Sequence, residues 1–118
     1  MIRLITLLKR REDVSADDFM TFWDSDDVNT AVESAVALYK PVKWQRARVL
    51  NLAVHDEVQE KTGRGEPYDA ILEYWWENAG GIIEIFRSEA GQAQTEKMQA
   101  LMYPYVNHAE SRTFFTED

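Results

Sequence analysis

Two histidines, His55 and His108, are the side chains in this chain best suited to proton transfer. Imidazole titrates close to neutral pH, so a histidine beside a pocket can carry a proton to or from a bound molecule. We expect His55 at the end of the second strand and His108 at the start of the fourth, and strand ends often line pockets. The plainer interpretation is that both are ordinary hydrogen-bonded or exposed histidines.

Two adjacent carboxylates, Asp26 and Asp27, fall beside Phe22 and Trp23 at a predicted helix break. Burial against the aromatic rings would raise the pKa of a carboxyl group and make it a candidate base, Asp27 above all. Alternatively, the two aspartates start a helix, accept hydrogen bonds from free backbone N–H groups and face the positive end of the helix dipole. These interpretations predict opposite pKa shifts.

Arginines and aromatic rings are the candidate ligand-binding side chains. Arg46 and Arg48 share one face of the predicted second strand, where Arg46 can bind a substrate carboxylate or enolate, or either can pair with Glu73 across the sheet. Tyr74 and Trp76 share a face of the third strand and, with Trp23, can stack on a flat ligand. Core packing is the alternative for these rings.

Metal, nucleotide and nucleophile motifs are not found. Two histidines and scattered carboxylates do not make a metal-ligand motif, and the chain has no cysteine. The glycines lack a nucleotide-binding pattern, and no serine lies in a nucleophile elbow. We therefore expect neither a metal nor a cofactor.

Local patterns predict the elements that must position these residues. They are strand 2–9, a helical stretch from Ser15 to Pro41 broken near 24–27, strand 42–54, a mobile loop 56–67, strand 69–76, a helix after Asn78, a longer helix after Ser88, and strand 107–116. The break is predicted because the apolar stripe that begins at Phe19 is out of phase with the one that begins at Val28.

The order β-α-β-β-α-β is typical of an α+β, ferredoxin-like domain with a four-stranded antiparallel sheet and its helices on one face. The third strand carries apolar groups on both faces, so the second face of the sheet should also be covered. A second copy of the chain would cover it, which predicts a homodimer.

Composition limits the function classes. The 118 residues suit a single domain spanning 1–118, and 45% are hydrophobic, enough for one core. A net charge of -8 disfavours nucleic acid and anionic membrane surfaces as partners. With no apolar run of membrane-spanning length and no signal-peptide pattern at the start, we expect a cytoplasmic protein.

Four segments together resemble the EthD family of dimeric α/β-barrel proteins: IRLITLLKRR, SADDFMTFW, YDAILEYWWENAGGIIEIFRSEAG and the C-terminal HAESRTFFTED. The resemblance implies two sheets closed into one barrel and a pocket between each sheet and its own helices. It also implies small, often aromatic or polyketide-like ligands. In this family a histidine often follows the first-helix tryptophan in a tryptophan-x-x-x-histidine-alanine-proline pattern. Here Trp23 is followed at that position by Asp27 and then by Val28 and Asn29, so that histidine's role does not carry over.

Two functions follow as hypotheses. The first is a cofactor-independent enzyme in which His55, His108 or Asp27 moves a proton during an oxygenation, isomerisation, cyclisation or decarboxylation. The second is a non-catalytic or accessory dimer that binds a small hydrophobic or aromatic molecule. A weaker third hypothesis is a subunit whose acidic surface binds a basic partner.

Overall fold

The computed structural model describes residues 1–50 and 52–118. These residues form four strands and five helices. In chain order they are β1 (Ile2–Leu8), α1 (Ala16–Trp23), α2 (Asp26–Tyr39), β2 (Lys43–Arg48), α3 (Ala53–Thr62), β3 (Ala70–Trp76), α4 (Gly80–Arg87), α5 (Glu89–Met102) and β4 (Arg112–Glu117).

The four strands form one antiparallel sheet in the order β2-β3-β1-β4. Leu4 of β1 lies opposite Tyr74 of β3 on one side and Phe115 of β4 on the other. The predicted α+β, ferredoxin-like class with a four-stranded antiparallel sheet is confirmed.

The predicted break between the first two helices is present, and a serine caps each helix. The Ser15 hydroxyl accepts a hydrogen bond from the Asp18 N–H at 3.0 Å, and the Ser25 hydroxyl accepts one from the Val28 N–H at 3.4 Å. The second helix ends at Lys40, whose left-handed φ of 50° precedes Pro41. Because the chain changes direction at the break, the apolar residues of both helices can reach the core, among them Phe19 and Phe22 of α1 and Val28 of α2.

The predicted strand 42–54 is too long. Strand β2 ends at Arg48, which lies opposite Ala70, the first residue of β3. One further bond, from the Val49 N–H to the Asp69 carbonyl at 2.9 Å, closes the ladder, and β3 offers no partner beyond it. Asn51 lies outside the described residues.

The predicted loop 56–67 is wrong in its first half, which belongs to helix α3. Alanine, glutamate, glutamine and lysine favour a helix here, and Gly63 ends it with a left-handed φ of 68°. The polar composition suggested a loop because α3 buries none of its side chains. His55 consequently lies in the first turns of a helix and not at a strand end.

The predicted strand 107–116 starts too early. Residues before Arg112 form a turn in which the Asn107 side chain accepts a hydrogen bond from the Glu110 N–H at 3.2 Å. The Asn107 carbonyl also accepts one from the Ser111 N–H at 3.1 Å. Asparagine commonly builds turns of this kind. His108 therefore lies in a turn before β4.

The strands alternate between two faces of the sheet. One face packs against α1, α2, α4 and α5, and the core lies there. Its largest fully buried side chains are Trp23, Phe19, Val28 and Val32. We call the opposite side the open face. It carries Ile5, Leu7, Ile71 and Phe114, together with Trp75, which is covered by the Lys43 ammonium at 4.4 Å and the Arg3 guanidinium at 5.7 Å from its ring centre.

Candidate binding cavity

A cavity of about 340 Å³ lies between the sheet and helices α2 and α5. Its floor is made by residues of β1, β3 and β4 that point towards the helices, and its roof by α2, α4 and α5. The lining residues are Leu4, Thr6, Leu8, Leu72, Tyr74 and Thr113 on the floor, Ala35, Tyr39, Phe86, Gln94, Thr95, Met98, Gln99 and Met102 on the roof, and His108 and Ser111 from the turn before β4.

The mouth of the cavity lies between α5 and β4. Thr95 and Gln99 of α5 and Thr113 of β4 are the exposed members of the lining, whereas the floor residues Leu4 and Leu72 are buried. The Thr113 hydroxyl meets the Thr6 hydroxyl at 3.3 Å. A molecule entering there passes a polar rim before it reaches apolar and aromatic walls.

Two tyrosines form one end of the cavity. The rings of Tyr39 and Tyr74 meet edge to face with centroids 5.9 Å apart, and Phe86 lies 4.8 Å from Tyr39. Burial raises the pKa of Tyr74 strongly, the Tyr39 phenol adds to the rise, and Arg46 opposes it. Burial also raises the pKa of Tyr39, and the nearby Thr95 side chain opposes this rise. Both phenols therefore remain neutral hydrogen-bonding groups.

His108 forms the other end of the cavity. The neighbouring Asn107 N–H donates to the Lys9 carbonyl at 2.8 Å, which fixes the turn just beyond the end of β1. Leu4 lies opposite Tyr74 and so marks the tyrosine end of the cavity, and Lys9 follows Leu4 by five residues. Because five extended residues span about 16 Å, the two ends of the cavity are about 16 Å apart. The Nε2 atom of His108 is buried and has no hydrogen-bond partner among the described residues.

Arg46 lies near Tyr74 but does not line the cavity. Its guanidinium donates a hydrogen bond to the Asn29 side chain and lies 5.3 Å from the Trp23 ring centre. Glu73 points to the open face, where it accepts a hydrogen bond from Gln45 at 2.8 Å. The predicted pairing of Arg46 or Arg48 with Glu73 is wrong. The two arginines lie opposite Leu72 and Ala70, which point to the helix-covered face of the sheet, whereas Glu73 points to the open face.

Arg48 does form an ion pair, but with the exposed Asp24 at 3.5 Å. This pair links the end of β2 to the loop between α1 and α2. Exposed pairs of this kind contribute at most about 1 kcal/mol to stability. The contact gives Arg48 a structural position and not a ligand-facing one.

Trp23 and Trp76 belong to the core and not to the cavity wall. Trp23 stacks on Phe19 with ring centroids 6.4 Å apart. The Trp76 indole N–H donates to the Tyr39 carbonyl at 2.8 Å and so fixes the end of α2. Of the predicted ligand-binding side chains, only Tyr74 lines the cavity.

His55 and Asp27 lie away from this cavity. His55 faces a second, charged depression that also contains Asp17, Asp69 and Arg10. Asp27 is exposed in the first turn of α2, at the rim of a third depression. The structure thus brings Tyr74 and His108 into one cavity and separates both from His55 and Asp27. The catalytic roles of the three polar residues stay predictions.

Met98 is a cavity residue that the sequence did not single out as functional. Tyr39 also lines the cavity, where it ends the apolar stripe of α2 one helical turn after Ala35. Gln94 is a further surprise, since it is a buried polar residue whose amide donates to the Ala31 carbonyl at 3.3 Å and joins α5 to α2. Such a contact depends on how two helices pack.

Within residues 1–50 and 52–118, no group of three or more histidine, aspartate or glutamate side chains is placed to hold a metal ion. In the same part of the chain, no helix is both long enough and apolar enough to cross a membrane.

Comparisons with known proteins place the fold. No family model matches the chain, and no curated protein matches it. Among solved structures, an ethyl tert-butyl ether d (EthD) family protein from Bacillus halodurans matches with a TM-score of 0.64 and 14% identity, over 100% of this chain and 98% of that one. This chain has an EthD-like fold. The resemblance predicted from the sequence is confirmed at that level.

Two further structures share the EthD-like fold. A dimeric protein of unknown function and ferredoxin-like fold from Bacteroides fragilis matches with a TM-score of 0.62 and 14% identity, over 99% of this chain and 95% of that one. An Arabidopsis thaliana protein matches with a TM-score of 0.60 and 12% identity, over 100% and 95% of the two chains. All three alignments span nearly the whole of both partners.

Proposed function

We propose that this chain is a single EthD-like domain that forms a homodimer and binds a small hydrophobic or aromatic molecule in the cavity between its sheet and helices α2 and α5. One observation carries the proposal. The cavity of about 340 Å³ has a wall surface that is mainly apolar and aromatic, and polar side chains lie at its two ends and its mouth. Small-molecule sites are typically concave, apolar and furnished with few polar groups.

The homodimer is supported by the open face and by a relative. Half-buried apolar residues, among them Ile5, Leu7 and Ile71, lie on that face without a covering layer among the described residues. The Bacteroides fragilis protein of the same fold is dimeric. Pairing of two open faces would remove this apolar surface from water. The cytoplasmic location expected from the sequence stays a prediction.

Methionine methyl signals offer a direct test of binding. The chain has four methionines. Met98 and Met102 line the cavity, whereas Met1 and Met20 do not. We expect 2-acetylnaphthalene, a small uncharged aromatic probe, to shift the ¹³C-methyl NMR signals of Met98 and Met102 and to leave the other two in place. Shifts confined to Met1 or Met20, or no shifts at all, would count against the proposal.

A matched pair of variants on α2 locates the binding. Ala35 is buried and lines the cavity, whereas Ala37 is exposed two positions later. Ala35→Leu should weaken binding at least about tenfold, because the added methyl groups impose a steric cost above about 1.4 kcal/mol on the bound state. Ala37→Leu should bind like the wild type. Methyl spectra without ligand would show that both variants fold.

Proton transfer at His108 is the second candidate function. His108 lines the cavity, and its buried Nε2 has no hydrogen-bond partner among the described residues, so a small movement of the side chains that cover this atom would bring it within reach of a ligand C–H or O–H. It would serve cofactor-independent isomerisation, cyclisation or oxygenation. In D₂O, we expect the protein to speed deuterium exchange at the methyl group of 2-acetylnaphthalene. His108→Asn should abolish this acceleration and His55→Asn should not. No acceleration by the wild type would leave the protein a non-catalytic binder, and an equal effect of the two variants would remove His108 from the proton transfer.

A further inference from the structure

The lining of the cavity carries no fixed charge. Among the described residues that form it, none is lysine, arginine, aspartate or glutamate. The titratable groups in the lining are Tyr39, Tyr74 and His108.

The charged groups nearest to each end lie outside the lining. Close to the tyrosine end, the Arg46 guanidinium donates a hydrogen bond to Asn29 and lies over Trp23, and its buried Nη1 has no hydrogen-bond partner among the described residues. Close to the His108 end, the Lys9 ammonium lies 3.2 Å from Glu66 and 3.8 Å from Asp69. A charged ligand in the cavity would therefore lose its hydration without contacting an opposite charge in the lining, and that loss is costly.

The tyrosine end offers neutral hydrogen bonding instead. Tyrosine hydroxyls keep their protons at neutral pH, and burial, which raises the pKa of both Tyr39 and Tyr74, extends this to more alkaline pH. Neither hydroxyl is deprotonated to repel a ligand oxygen, and each can donate to a carbonyl or a phenol. The surrounding rings of Phe86, Tyr39 and Tyr74 supply surface for an aromatic ligand.

We propose that the cavity selects uncharged aromatic molecules that bear a carbonyl or phenol oxygen, which Tyr39 and Tyr74 bind, and that it discriminates against carboxylates and ammonium ions of the same shape. This inference rests on the proposed binding function and adds the chemical class of the ligand.

Three probes with one ring system test the selection. They are 2-acetylnaphthalene, 2-naphthoate and 2-naphthylmethylammonium, titrated separately at pH 8, where an ordinary imidazole is neutral. The Met98 and Met102 methyl signals report occupation of the cavity. We expect the ketone to bind at least about tenfold more tightly than either ion, since burying an unpaired charge costs more than about 1.4 kcal/mol. An ion that binds as tightly as the ketone would overturn the selection and leave the binding function intact. If none of the three probes moves these signals, the binding function itself fails.

Phenylalanine variants test the role of the tyrosines. Tyr39→Phe and Tyr74→Phe should each weaken ketone binding about two- to tenfold, as expected for one hydrogen bond. Binding of 2-ethylnaphthalene, which has no oxygen, should change less than twofold. Tyr103→Phe is the control, because Tyr103 is exposed and lies outside the cavity. Unchanged ketone binding in both cavity variants would remove the tyrosines from ligand recognition.

Discussion

Tyr74 combines a core position with a place in the cavity lining. It lies in the central strand β3, is 3% exposed, and contacts the rings of Tyr39 and Trp76. Its phenol nevertheless belongs to the cavity lining. A residue of this kind affects stability through burial and binding through its hydroxyl, and substitution by phenylalanine separates the two because it keeps the ring.

Alkaline pH should reveal the burial of Tyr74. Its folded-state pKa is raised above the ordinary 10.0, so the unfolded chain loses the proton first as the pH rises. The stabilisation is therefore complete below about pH 10 and is lost at higher pH. We expect the free energy of unfolding of the wild type to fall relative to that of Tyr74→Phe between pH 9 and pH 11.5, measured by urea unfolding. A constant difference over this range would show that the phenol titrates normally.

Gly91 is required by a close approach of two helices. A Cβ atom placed there would lie 1.9 Å from the Ile85 carbonyl oxygen and 2.9 Å from the Phe86 Cα. Both are backbone atoms at the end of α4, so they cannot move aside as a flexible side chain can. The residue sets how tightly α5 folds back on α4.

Gly91→Ala should consequently lower the free energy of unfolding by about 1–3 kcal/mol, the usual cost of overpacking. Gly81→Ala is the matched control, because no atom lies within 4 Å of its added Cβ and alanine favours a helix. We expect the control to be neutral or up to about 1 kcal/mol more stable in urea unfolding. Equal stability of the two variants would contradict the close approach.

At the scale of elements, the turn between α1 and α2 redirects the chain. Ser25 caps α2, and Asp26 and Asp27 occupy its first turn, exposed to solvent. This arrangement is the one expected for aspartates that stabilise a helix start through hydrogen bonds and the helix dipole. It places Asp27 outside the binding cavity.

Ser25→Ala should lower the free energy of unfolding by about 1 kcal/mol through loss of the cap. Asp27→Asn should lower it by about 0.3–1 kcal/mol through the dipole. Neither substitution should change the affinity for 2-acetylnaphthalene. Ser34→Ala, an exposed site within α2, serves as the control and should not destabilise the protein. Weaker ligand binding by Asp27→Asn would return this aspartate to the candidate site.

At the scale of the whole molecule, a single chain does not explain why the open face carries apolar residues. Its apolar residues alternate with the cavity residues along the same strands, so one sheet serves two surfaces. If two chains pair through this face, the cavities stay on the outside of the paired sheets and remain accessible. Binding and dimer formation are then separable by mutation.

If the proposed homodimer forms through the open face, Ile71→Lys should convert it to a monomer, because the substitution places a charge on a central strand of that face. Ile83→Lys is the control, since Ile83 is 39% exposed on α4, on the other side of the sheet. Native mass spectrometry should give one chain for the first variant and two for the second. Two chains in both variants would place the interface elsewhere.

Local sequence determined the two capped helices, strands β1 and β3, and the two-sided apolar pattern of β3. Each of these depends on neighbouring residues: a serine at a helix start, a stripe of spacing three and four, or an alternation of two. The length of β2 is a different case. It follows from where β3 begins at Ala70, a partner 22 residues away from Arg48.

Tertiary structure alone decided which residues share the cavity. Tyr39, Tyr74 and His108 come from α2, β3 and a turn, and only the sheet register and the packing of α2 against α5 place them around one space. The same register and packing place His55 and Asp27 outside the cavity, although their residue types made them equal candidates for a functional site. Chemical type is a property of a single residue, whereas membership in a cavity depends on contacts between residues distant in the chain, which no local pattern encodes.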